Sequence, residues 1–125
     1  MVMESVIPRS LLNYYRNKSE LLSLSFEKQL SKLQFLGDYI TEDIANEWMD
    51  EDIVILEKYF NQGILSRNIM DLYCQINNGF IDASNGGDKY ELEIWTLTGL
   101  KYHSFWKHQR QLAKQLLEEL NNIQV

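Results

Sequence analysis

The sequence predicts an all-α fold, a single-domain bundle of five to seven helices over residues 1–125. Three observations carry that expectation. Apolar residues recur at helical spacing along most of the chain, as in Leu65, Ile69, Leu72 and Ile76. One Pro and six Gly are too few for the frequent turns of an all-β sandwich. With 45% hydrophobic and 12% aromatic residues, the chain has the apolar material for a core, which excludes wholesale disorder.

Pro8 suits a first helical turn, and Leu11, Leu12 and Tyr15 follow on one side, predicting a helix near 8–17. Ser19 and Glu20 read as the start of a longer helix, with Leu22, Phe26, Leu30 and Leu33 as its stripe. It would end at Leu36, leaving Gly37 in the C′ position. Thr41 reads as the next N-cap, followed by Glu42 and Asp43 where the helix dipole favours negative charge. Ile44, Ala45 and Trp48 form its apolar side. A break is expected around Asp50–Asp52, because Asp caps helices well and sits poorly inside them. A short helix then runs from Ile53 to Phe60 and stops at Asn61-Gln62-Gly63.

The segment 64–78 carries the stripe Leu65, Ile69, Leu72, Tyr73 and Ile76 and would end at Asn77-Asn78-Gly79. Residues 81–89, with Asn85-Gly86-Gly87, read as the one extended loop. Residues 91–95 alternate like a strand but would have no partner, so a helical turn or irregular segment is favoured. From Ser104, read as a cap, Phe105, Gln109, Leu112, Leu116, Leu120 and Ile123 mark the last helix. The core is expected to hold Leu30, Ile69, Leu72, Leu112, Leu116 and Leu120.

No motif in this framework carries chemistry. His103 and His108 are five apart, about 140° around a helix, and do not share a face for one metal ion. Asp50-Glu51-Asp52 runs straight into Ile53 and is no EF-hand loop. Cys74 lies on an apolar helix face without a nearby cation, which predicts an inert thiol. Phosphate-binding glycine loops and a nucleophile elbow are missing from the sequence. The expectation is therefore a non-enzyme without a cofactor or metal. A lone cysteine and the lack of a basic-then-apolar start to the chain predict a reduced, cytoplasmic protein. No apolar run approaches the roughly eighteen residues of a membrane span.

Charge is the informative feature. The net charge of −6 is the wrong sign for a nucleic-acid binder and points to a basic partner or to solubility alone. From 42 to 57 the chain has Glu42, Asp43, Glu47, Asp50, Glu51, Asp52 and Glu57, with no Lys or Arg. A second group, Asp82, Asp88, Glu91 and Glu93, lies in and after the long loop. Positive charge is segregated, with Arg9, Arg16 and Lys18 early and Lys101, Lys107, Arg110 and Lys114 late. Such acids read either as a solvated face or as a docking surface for a basic protein. Tyr39 and Trp48 flank the first group and Tyr90 and Trp95 the second, and Tyr and Trp are common interface anchors. Trp48, in phase with Ile44, is expected in the core, and Tyr90 is expected to be exposed.

The run Leu92-Glu93-Ile94-Trp95-Thr96-Leu97-Thr98-Gly99-Leu100-Lys101, followed by His103, Trp106, Arg110, Leu112-Ala113 and Leu116-Leu117, resembles the small acidic all-helical immunity proteins of bacterial contact-dependent growth inhibition systems. Leu65-Ser66-Arg67-Asn68-Ile69 and Gly79-Phe80 fit the same likeness, which covers roughly residues 60–120. The resemblance implies a bacterial cytosolic antitoxin, a toxin inhibitor that binds a cognate toxin domain and occludes its active site. A nuclease toxin must offer positive charge to phosphates, which carboxylates can mimic. The expected interface is Glu42, Asp43, Glu47, Asp50, Glu51 and Asp52, or Asp82, Asp88, Tyr90, Glu91 and Glu93. Two rival readings remain: a helical adaptor or regulatory protein of a bacterial or phage system, and a small enzyme whose site is assembled from scattered residues.

Overall fold

A computed structural model describes residues 6–123 of the chain. The fold is all-α. Among the described residues there are seven α-helices: α1 (Arg9–Ser23), α2 (Phe26–Leu33), α3 (Ile40–Asn46), α4 (Asp50–Asn61), α5 (Arg67–Ala83), α6 (Leu97–Tyr102) and α7 (Ser104–Asn121). Two short 3-10 turns, Gln34–Tyr39 and Leu92–Trp95, join them. Helix α7 lies at the centre, packed against α1 on one side and α5 on the other, with α4 against α5. The core between them holds Leu12, Tyr15, Leu22, Leu56, Tyr73, Ile76, Trp106 and Leu116. Of the six expected core residues, Ile69, Leu72, Leu112, Leu116 and Leu120 are buried, while Leu30 packs at the edge and is only half-buried.

The helix boundaries correct several expectations. There is no start at Ser19; α1 runs on to Ser23, and Ser19 is buried inside it with its hydroxyl donating back to the Tyr15 carbonyl at 2.8 Å. The break falls at Leu24-Ser25, where Ser25 caps α2 by accepting from the Lys28 N–H. Gln29 makes that break tolerable. Its buried amide donates to the freed carbonyls of Leu21 and Leu22, and its oxygen accepts from Arg110. Thr41 is not a cap but lies buried inside α3, with its hydroxyl 3.1 Å from the Trp95 carbonyl. The break before α4 comes earlier than expected, so Asp50, Glu51 and Asp52 form its first turn, where the dipole favours them. His103, not Ser104, caps α7: its Nδ1 accepts from the Phe105 N–H at 3.0 Å. Gly63 follows the end of α4 with φ +77°, as a C′ glycine should. Gly37 is likewise left-handed, but α2 ends at Leu33, not Leu36, so Gly37 stands four residues beyond the helix, within the 3-10 segment.

The largest correction is α5, which continues through Gly79 to Ala83. Gly79 is there for space. A Cβ on it would stand 3.0 Å from the amide of the buried Gln109, which donates to the Ile76 carbonyl at 2.9 Å and ties α7 to α5. The extra turn of α5 then positions the 92–95 segment, which is a helical turn. Trp95 donates its indole N–H to the Ala83 carbonyl at 2.9 Å, and Trp106 donates to the Ile94 carbonyl at 2.7 Å. No helix among the described residues is long and apolar enough to cross a membrane.

A candidate docking groove between the acidic segments

Helix α3, the second half of α5 and residues 84–95 enclose an open groove of about 420 Å³. Ala45, Trp48 and Phe80 are its buried lining, and Ile81, Tyr90, Leu92 and Trp95 give it an apolar rim. Asn46, Asn77, Ser84 and Asn85 supply polar groups, and Glu42 supplies its one charge. Two anchors already described fix this shape: Thr41 to the Trp95 carbonyl, and Trp95 to the end of α5.

The groove brings together residues up to about fifty positions apart in the sequence. Glu42 lines it from one side and Tyr90 from the other. Asp50, exposed at the start of α4, accepts at 2.7 Å from the amide of Asn77, itself a lining residue. Asp43, Asp82, Glu91 and Glu93 do not line it, but each is exposed and is the chain neighbour of Glu42, Ile81 or Leu92. Tyr90 is exposed and Trp48 buried, as expected from the sequence. Glu91 also faces His103 Nε2 at 3.4 Å. Glu51 and Asp88 are exposed and line no part of the groove.

Two expected interface acids are elsewhere. Glu47 lines a separate cavity of about 350 Å³ with Tyr14, Asn17 and Lys32. Asp52 is not on the surface as expected: it is 3% exposed and ion-paired to Lys18 at 2.6 Å. The acidic stretch therefore does have a cation, supplied by α1. Lys18 is itself 5% exposed, and its ammonium lies 4.0 Å from the centre of the Tyr14 ring. Its three donors meet the Asp52 carboxylate, the Tyr14 hydroxyl and the Glu47 carbonyl. Tyr73 also donates to Asp52 at 2.5 Å. Burial, reinforced by the Asp52 carboxylate, pushes the phenols of Tyr15 and Tyr73 well above their usual range. A lysine with every donor satisfied has no free group to offer a substrate, so the cluster joins α1, α4 and α5 as a structural pair.

This pair escaped the sequence reading, as did Asn77, Phe80, Ile81 and Leu92 in the groove. A signal for Lys18 existed: it interrupts the apolar stripe Leu11, Tyr15, Leu22 at helical phase. The groove residues Phe80 and Ile81 lie in the last turn of α5, beyond Asn77-Asn78-Gly79, which reads locally as a helix end. The remaining reactive groups offer little chemistry. Burial, helped by the Asp71 and Glu57 carboxylates, pushes the Cys74 thiol up, away from a reactive thiolate. Arg16 and Arg110 each donate from Nη2 to a carbonyl near the end of α7 or α6, Leu120 and Leu100 respectively, while the buried Nε of each has no partner among the described residues. No group of three or more His, Cys, Asp or Glu among the described residues is placed to hold a metal ion.

Comparison with protein families, with curated proteins and with solved structures gave no match in any of the three.

Proposed function

We propose that this chain is an immunity protein, which binds a basic bacterial toxin domain in the cytoplasm and blocks its active site by occupying it. The observation that supports this reading is one apolar groove lined by residues of both acid-bearing segments, Glu42 from the first and Ile81, Tyr90 and Leu92, chain neighbours of exposed acids, from the second. An apolar groove with one carboxylate in its lining, and exposed acids next in the chain to its lining residues, suits a basic cleft. The carboxylates speed encounter and reject acidic competitors, while the aromatic and aliphatic lining is the kind of patch that anchors interfaces. The role of each residue follows from its place. Glu42, Asp43, Asp50, Glu91 and Glu93 meet basic groups of the toxin, Tyr90 and Leu92 pack against its surface, and Asp52 maintains the fold.

The test is co-expression with the protein encoded immediately upstream, expected to be the toxin. A one-to-one complex that copurifies, together with survival of cells expressing that toxin domain, is the expected result. A toxin that kills regardless of this chain, or that never copurifies with it, would overturn the reading. A complex that forms while the toxin remains active would favour the adaptor reading instead.

A further inference from the structure

We infer that the groove takes one large apolar side chain of the partner, presented on a Lys- or Arg-rich segment, and that this anchor sets the lifetime of the complex. The inference rests on the proposed toxin-binding reading and supplies the chemistry that this site would select. Size comes first. A cavity of about 150 Å³ holds a benzene ring, so an open groove of about 420 Å³ receives an indole or phenyl ring with part of its backbone.

Exposure comes second. Leu92 is 71% and Ile81 48% exposed, and both line the groove with the half-buried Trp95, giving it exposed apolar surface of the kind that marks interaction sites. Charge decides the occupant. Glu42 is the one charged residue in the lining, Leu92 is flanked by Glu91 and Glu93, and Ile81 is followed by Asp82. Lys89 is the one cation between residues 82 and 93. An acidic or neutral apolar segment would gain only the groove, whereas a basic one gains both groove and rim. The two contributions separate kinetically, because rim charges act on association and a dry anchor acts on dissociation.

The probe is a synthetic Lys-rich peptide with Trp and Leu on one helical face, titrated into the ¹⁵N-labelled chain at low salt. One control peptide replaces each Lys by Glu, and a second replaces Trp and Leu by Ser. The basic amphipathic peptide is expected to give saturable shifts centred on residues 42–48, 77–85 and 90–95. Neither control should do so over the same concentrations. Leu92→Ser, a change at an exposed position that should leave the circular dichroism spectrum unaltered, is expected to weaken binding roughly fivefold or more. Shifts centred elsewhere, equal binding of either control, an unaffected Leu92→Ser variant, or no saturable binding at millimolar peptide would each overturn the inference. Toxin binding that persists after such a failure would leave the proposed function standing without the anchor. Peptide binding in the groove by a chain that binds no toxin would leave the groove chemistry standing without that function.

Discussion

Removing Lys18 should cost far more than losing an exposed lysine. In Lys18→Met the Asp52 carboxylate stays buried without its cation, and breaking one partner of a buried pair costs about 3–5 kcal/mol. The lower end is expected here, about 3 kcal/mol, because Asp52 still receives the Tyr73 hydroxyl at 2.5 Å and can receive that of Tyr14 at 3.1 Å. Asp52→Leu is the harsher change. It leaves an ammonium among aromatic rings and deprives Tyr73 of its acceptor, for about 4–5 kcal/mol. Against a total stability of about 5–15 kcal/mol, either single variant should lower Tm by about 10 °C or more. The double variant Lys18→Met, Asp52→Leu removes both charges together and should be no less stable than Lys18→Met alone. Urea unfolding followed by tryptophan fluorescence measures all four proteins. Single costs below about 1 kcal/mol, or costs that merely add, would refute the account of this pair as a buried and mutually dependent unit.

Two further outcomes follow from the core. Tyr15 and Tyr73 hold their protons above the usual phenol pKa of about 10, so the folded chain binds protons there that the unfolded chain has lost; stability should fall as pH rises above about 10. Absorbance at 295 nm should show these two phenols ionising late or only on unfolding, with Tyr73→Phe removing one late step, and ordinary titration of both would contradict this. Gly99→Ala would drive a Cβ into the Glu93 carbonyl oxygen, forcing α6 off the 92–95 turn. A loss of about 2 kcal/mol or more is expected by thermal unfolding, and an unchanged Tm would contradict this close packing of α6 on the turn.

Periodicity identified most of the fold because the stripes on α5 and α7 face the central packing, where burial demands apolar residues. It did not place the breaks. Ser19, Ser23 and Ser25 are equally plausible caps by type, and Leu22, Phe26 and Leu30 keep helical phase straight across the real break at Leu24-Ser25. Gly79 reads locally as a stop, yet its role is to admit Gln109 from α7, a contact thirty residues away. Of the candidate site, the acids and Tyr90 were readable as composition and spacing. That Glu42 and Tyr90 share one groove depends on Thr41, Trp95 and the end of α5 meeting, which no local pattern encodes. Asp52 looked like its exposed neighbours because the cation that buries it comes from α1.

The central claim, that acids around the groove guide a basic toxin domain into contact, is tested most directly by association kinetics. Stopped-flow mixing with the cognate toxin domain at low and high salt should compare the native chain with Glu42→Lys, Glu91→Lys and with Glu47→Lys, Glu51→Lys. The account predicts that the first pair slows association by about tenfold or more at low salt and flattens the salt dependence, while the second pair, away from the groove lining, has the smaller effect. An association rate unchanged by the first pair at low salt, or a native rate indifferent to salt, would contradict it.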